Sequence, residues 1–155
     1  MAWEWDGVQF EMLHPASGSA ARRRNDDSCV LRVRAGGATM LLTGDIERGA
    51  EAELLETGAL RADALLVPHH GSRTSSTAAF LAAVRPRLAV AATGYRSRFG
   101  HPHEEVLARY AAAGIGILRT DRDGAVTVRL AAGVTEVEAH RARRARYWHV
   151  PPPPA

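Results

Sequence analysis

The chain has 155 residues, with 20 basic against 17 acidic side chains and a formal charge of +3. That length favours one domain, and 46 % hydrophobic with 24 % charged residues is a globular mixture that excludes a disordered chain. Apolar runs such as Ala64–Val67 and Leu88–Ala92 are strand-sized, and none approaches the roughly 18 residues of a membrane helix.

The start, Met1-Ala2-Trp3-Glu4-Trp5-Asp6, is acidic and aromatic, unlike a signal peptide. The single Cys29 excludes an internal disulfide and a cysteine-rich metal cage, and reads as a small buried hydrophobe. All 20 basic residues are arginine. Arginine suits bidentate phosphate recognition. A GC-rich coding bias explains the abundance of Ala, Arg and Gly as well, and +3 is too small a charge to indicate nucleic-acid binding by itself.

In chain order, Val8–Leu13 is a predicted strand entering a loop at His14-Pro15, and Ala16–Asp27 an exposed loop ending in Arg22-Arg23-Arg24-Asn25-Asp26-Asp27. Cys29–Arg34 and Thr39–Thr43 form a hairpin about Gly36-Gly37. Glu47–Glu56 is helical, with Ala50, Leu54 and Leu55 on one side, acids on the other, and Gly58 ending it. Ala64–Pro68 is a buried strand, and Ser75 or Ser76 caps a helix that stops near Val84, before Arg85-Pro86. Leu88–Ala92 is another buried strand and Pro102–Ala113 a third helix. Ile115–Arg119 and Ala125–Leu130 flank Asp121-Arg122-Asp123-Gly124, a hairpin-turn signal. The order predicts an α/β domain over residues 1–139, a mixed sheet with flanking helices, and a basic, proline-rich tail over 140–155.

Two places carry chemistry. Leu41-Leu42-Thr43-Gly44-Asp45 puts a carboxylate at the tip of a buried strand, where ligand sites of α/β sheets collect. Asp45 can bridge metal ions or cap the following helix, and this segment alone weighs the two equally. Leu65-Leu66-Val67-Pro68-His69-His70-Gly71-Ser72 delivers two imidazoles at another strand tip. Neighbours on an extended segment point to opposite sides, so one histidine is a ligand and the other a supporting or substrate contact. His101, in Phe99-Gly100-His101-Pro102-His103, lies where a loop meets a helix and can touch a phosphate, while His103 reads as a solvated first-turn residue. His14 by itself reads as a polar strand-end residue.

Leu-Leu-Thr-Gly-Asp, then Pro-His-His-Gly-Ser-Arg-Thr-Ser-Ser, then Gly-His-Pro-His, then Arg-Thr-Asp-Arg-Asp-Gly together resemble the metallo-β-lactamase-like domain of DNA-internalisation (competence) proteins of the ComEC type, from about Trp3 to Leu130. The resemblance implies an αββα sandwich with a two-metal hydrolytic site at one edge. Asp45 matches the bridging aspartate, and one of His69 and His70 the last histidine ligand, with His70 favoured because it precedes Gly71. His14 falls where an intermediate histidine ligand lies, and His101 corresponds to a substrate-facing histidine. The superfamily's His-x-His-x-Asp-His motif is absent, so the chain matches the C-terminal portion of the domain, with a site that is incomplete.

The implied cofactor is a pair of divalent ions, Zn²⁺ or Mn²⁺, acidifying a water for attack on phosphorus. His69 or His101 would orient the phosphate or protonate the leaving oxygen, and Ser72, Arg73 and the Arg96–Arg98 loop would contact it. The implied substrate is single-stranded DNA, and the implied setting a competence protein of the inner membrane with this domain outside the cytoplasm. The chain itself is expected to be soluble, and to self-associate through an exposed sheet face. Another phosphodiester hydrolase of the superfamily, or a non-catalytic DNA-binding fragment, are the alternatives.

Overall fold

Seven strands lie in one sheet in the order of the chain: β1 (Ala2–Trp5), β2 (Val8–His14), β3 (Val30–Ala35), β4 (Ala38–Leu42), β5 (Ala64–Leu66), β6 (Leu88–Ala91) and β7 (Gly116–Arg119). The structure, a computed structural model, describes residues 1–15, 25–131 and 134–147. Neighbours are antiparallel from β1 to β4 and parallel from β4 to β7, the mixed sheet with flanking helices that the sequence predicts. The switch follows from the connections. Asp6-Gly7 and Gly36-Gly37 close two-residue hairpins, whereas helix-bearing segments return each later strand in the same direction.

Those segments carry α1 (Arg48–Thr57), α2 (Ala78–Val84) and α3 (Glu104–Ala112). Leu54, Phe80, Leu81, Val84, Val106 and Tyr110 pack with Leu41, Leu65 and Ala89 of the strands into one core. Register places Glu11, Arg32, Leu41, Leu65, Ala89 and Ile117 in one cross-strand row. Trp3, Phe10, Val33 and Met40 form a row on the other face. There Trp3 stacks on Phe10 with centroids 5.2 Å apart, Trp3 is exposed, and Phe10, Val33 and Met40 are only half-buried.

Several expectations are corrected. Cys29 is exposed, because it precedes β3 and the inward position falls to Val30. Not all acids of α1 face water: Glu51 is fully buried, its carboxylate accepting the Ser76 and Thr77 amides at 2.5 and 2.8 Å. The cap of α2 is Thr77, not Ser75 or Ser76, and its hydroxyl accepts from the Phe80 amide at 3.3 Å. α3 starts at Glu104, with His103 as its cap.

Nor does β7 turn back into a hairpin. The Asp123 carboxylate accepts the Arg119 amide at 2.6 Å, Asp121 pairs with the Arg119 guanidinium at 2.7 Å, and Thr120–Asp123 coil into one helical turn, α4. β8 (Val126–Ala131) instead pairs antiparallel with β9 (Val134–Ala139) in a second, two-stranded sheet, and β8 packs across β3 and β4. Within the expected tail, His140–Arg143 forms a short helix, α5, and Arg141 donates to the Asp121 and Arg122 carbonyls. The proline run and Arg22-Arg23-Arg24 lie outside the described residues. No helix among the described residues is long and apolar enough to cross a membrane.

Candidate functional site

The C-terminal ends of β4, β5 and β6 meet at one rim. The Thr43 hydroxyl donates to the Leu66 carbonyl at 2.8 Å, the His69 amide to the Gly44 carbonyl at 3.0 Å, and the Val67 amide to the Val90 carbonyl at 2.8 Å. Three consecutive strand tips are thus laced together by backbone carbonyls before any functional side chain is considered.

Asp45 and His70 face each other on this rim, with Asp45 Oδ1 and His70 Nε2 3.5 Å apart. The other ring nitrogen, His70 Nδ1, donates to the Ala92 carbonyl at 2.7 Å. That bond selects the tautomer with an open lone pair on Nε2, the arrangement that orients a metal-binding imidazole. Both side chains are about half exposed, so their closeness contributes little to stability. The capping role for Asp45 is not realised. Asp26 serves α1 instead, its Oδ1 accepting the Glu47 and Ala50 amides at 2.7 and 3.3 Å.

His69 and His70 do not sit on an extended segment. Pro68–Gly71 is a 3-10 turn in which both histidines are left-handed, with φ of 48° and 55°. Such conformations cost roughly 1–3 kcal/mol each for non-glycine residues and concentrate at functional sites. The turn brings both rings onto the same rim instead of opposite faces. His69 Nδ1 lies 3.3 Å from Glu47 Oε1, and its ring meets His101 edge-on with centroids 6.0 Å apart. His101 Nδ1 is buried without a hydrogen-bond partner. Burial first, then the neighbouring histidines His69 and His70, holds His101 below the ordinary histidine value.

The remaining expected residues are placed differently. His14 is buried, and its Nε2 bonds the Asp26 carbonyl at 2.6 Å, which steadies the residue that caps α1. The Ser72 hydroxyl is engaged with Thr74 Oγ1 at 3.0 Å, and Arg73 reaches towards Glu105 at 3.9 Å on the surface. His103 accepts the Glu105 amide at 3.3 Å. Sequence reasoning missed Glu47, whose place beside His69 has no signal except its closeness to Asp45. It also gave no role to Asp121. Burial raises that carboxyl, but the Arg119 guanidinium and Thr93 hydroxyl outweigh it and hold it below its usual range.

As metal ligands the residues fit part of a site. Asp45 and His70 supply two adjacent donors of the right kind, but among the described residues no group of three or more His, Cys, Asp or Glu side chains is placed to hold an ion.

No protein-family profile matches the chain. It is 46 % identical over 156 residues to competence protein ComA of Neisseria gonorrhoeae, covering 97 % of this chain and 22 % of that protein. It is 36 % identical over 123 residues to ComE operon protein 3 of Bacillus subtilis, covering 79 % and 16 %. Recombination protein 2 of Haemophilus influenzae is 37 % identical over 107 residues, covering 69 % and 13 %. The chain spans less than a quarter of the length of each of these relatives. It is, over nearly all of its own length, a relative of one segment of the competence proteins.

Proposed function

We propose that the chain is the C-terminal portion of a metallo-β-lactamase-like αββα domain in a DNA-uptake protein, a metal-dependent phosphodiesterase whose substrate is DNA. The observation that carries this is the Asp45–His70 pair, a carboxylate and an imidazole turned to the metal-binding tautomer, 3.5 Å apart at a strand-end rim. The name of the Neisseria relative, competence protein ComA, supports the setting, and the membrane location outside the cytoplasm is part of the same proposal. Asp45 and His70 would hold a divalent ion, Zn²⁺ or Mn²⁺ by donor type. When bound, it supplies a Lewis acid for the phosphate charge and the attacking water. Further donors would have to come from outside the described residues.

The chain's own residues bind and orient. His69, its Nδ1 3.3 Å from Glu47 Oε1, and His101 line the approach to the pair. His101 enters as a neutral imidazole, and an approaching phosphate favours its protonated form, the state that can give a proton to a leaving oxygen. Calorimetric titration with Mn²⁺ and Zn²⁺ tests the reading. The chain should bind weakly, Asp45→Ala and His70→Ala should not bind, and hydrolysis of single-stranded DNA by the 155 residues alone should be weak or absent. Equal heats from all three proteins would sink the assignment. The lack of a third converging donor among the described residues favours a second reading, a non-catalytic DNA-binding module. DNA binding undiminished in the double variant, with no metal taken up, would select it.

The row Trp3, Phe10, Val33 and Met40 is the face the longer protein would cover. The isolated chain should therefore associate, with sedimentation mass rising with concentration and falling back in Trp3→Lys. A monomer at every concentration would oppose this.

A further inference from the structure

The loop between β6 and α3 carries two aromatic rings that the core does not use. Tyr95 is 57 % and Phe99 66 % exposed, although burying an aromatic ring is ordinarily among the larger gains of folding. Each ring has an arginine over it: Arg96 Cζ lies 5.3 Å from the Tyr95 centroid and Arg98 Cζ 4.8 Å from that of Phe99. Phe99 stacks on His101 with centroids 6.0 Å apart and planes 19° from parallel, and His101 meets His69. His69 lies next to His70, centroids 6.4 Å apart. A row of rings thus runs from solvent to the Asp45–His70 pair.

The base of this loop is fixed relative to the pair. The Thr93 amide donates to Thr120 Oγ1 at 2.8 Å, the Thr93 hydroxyl to Asp121 Oδ1 at 2.9 Å, and the Ala92 carbonyl accepts from His70. Its tip is built from two successive turns, with the Ser97 amide on the Gly94 carbonyl and the Gly100 amide on the Ser97 carbonyl, each at 3.1 Å. From Ala92 to His103 there is no carboxylate. An exposed aromatic pair interleaved with arginines and free of acids suits a polyanion that also has flat faces to stack.

We infer that Tyr95 and Phe99 form a base-stacking platform for a single-stranded nucleic acid, with Arg96 and Arg98 on its phosphates, leading the strand to Asp45 and His70. The platform rests on DNA being the substrate of that site. Bases in a duplex have their faces taken by their neighbours, so the rings select unpaired strands. Every base has a π-face, so the selection tolerates any sequence.

The test is fluorescence anisotropy of the full chain with a labelled oligo(dT) and a duplex of the same length at one salt concentration. Tyr95→Ala/Phe99→Ala should weaken oligo(dT) binding about 30-fold or more. Duplex binding should change less than about twofold, and the salt dependence should stay as it was because no charge is removed. Tyr95→Trp/Phe99→Trp should bind oligo(dT) at least as well as the original chain, which separates stacking from a folding defect. Unchanged oligo(dT) binding in the alanine variant overturns the platform and leaves the DNA assignment standing. Equal losses for both nucleic acids also overturn it, because the loop would then act through charge or fold. An original chain that binds neither defeats the DNA assignment and the platform with it.

Discussion

Alanine at Gly71 should lower the unfolding free energy by about 2–5 kcal/mol, seen as a fall in the urea midpoint. Gly71 has φ +86°, and a Cβ there would lie 2.5 Å from Pro102 Cβ and 2.9 Å from Pro102 Cα. The second contact is with backbone, so a rotamer change cannot relieve it. The left-handed conformation costs about 1–2 kcal/mol for an L side chain and the overlap about 1–3 more. Because the Gly71 carbonyl also accepts the His103 amide at 2.9 Å, separating the two segments moves His101 away from His69. The imidazole NMR signals of both should shift in the variant. An unaltered midpoint would show that the His70-Gly71 turn and the Pro102 segment are not packed as described.

Glu51→Ala should cost about 2–4 kcal/mol, since it leaves the buried Ser76 amide and the part-buried Thr77 amide without their acceptor. Arg109 reaches the same loop from α3, donating to the Ser75 and Ser76 carbonyls at 2.8 and 2.7 Å. Glu51→Gln should be milder, because an amide retains one acceptor oxygen. Burial raises the Glu51 carboxyl above its ordinary 4.5 despite those donors. A raised folded value means that its contribution is complete below about pH 4.5 and is lost as pH rises through the folded value. The stability gap between the original chain and Glu51→Gln should therefore be wider at acid pH than at pH 8. A gap that widens with rising pH would contradict the burial.

The strands of the sheet were legible where periodicity and turn chemistry agree, as in the Gly36-Gly37 hairpin and the continuous apolar runs of β5 and β6. β1 was not, although Asp6-Gly7 is a hairpin turn, because its residues Ala2–Trp5 are all exposed and show no inward face. The Asp121–Gly124 segment misled for the opposite reason: a turn-like string was held as a helical turn by its own carboxylates on Arg119. At the site, strand-tip placement pointed to Asp45 and to the His69-His70 pair without choosing between the histidines; the resemblance favoured His70, and it is His70 that lies 3.5 Å from Asp45. It could not show that left-handed residues 69 and 70 turn both rings to one rim, since that geometry is imposed by the Gly44 and Ala92 carbonyls from other strands.

Because spatial and chain order coincide throughout β1 to β7, no strand has to insert between two that are already paired. The sheet can grow by accretion at one margin while the polypeptide is still emerging from the ribosome. Early pairing of the hairpins then builds the template on which each helix-bearing segment docks in turn.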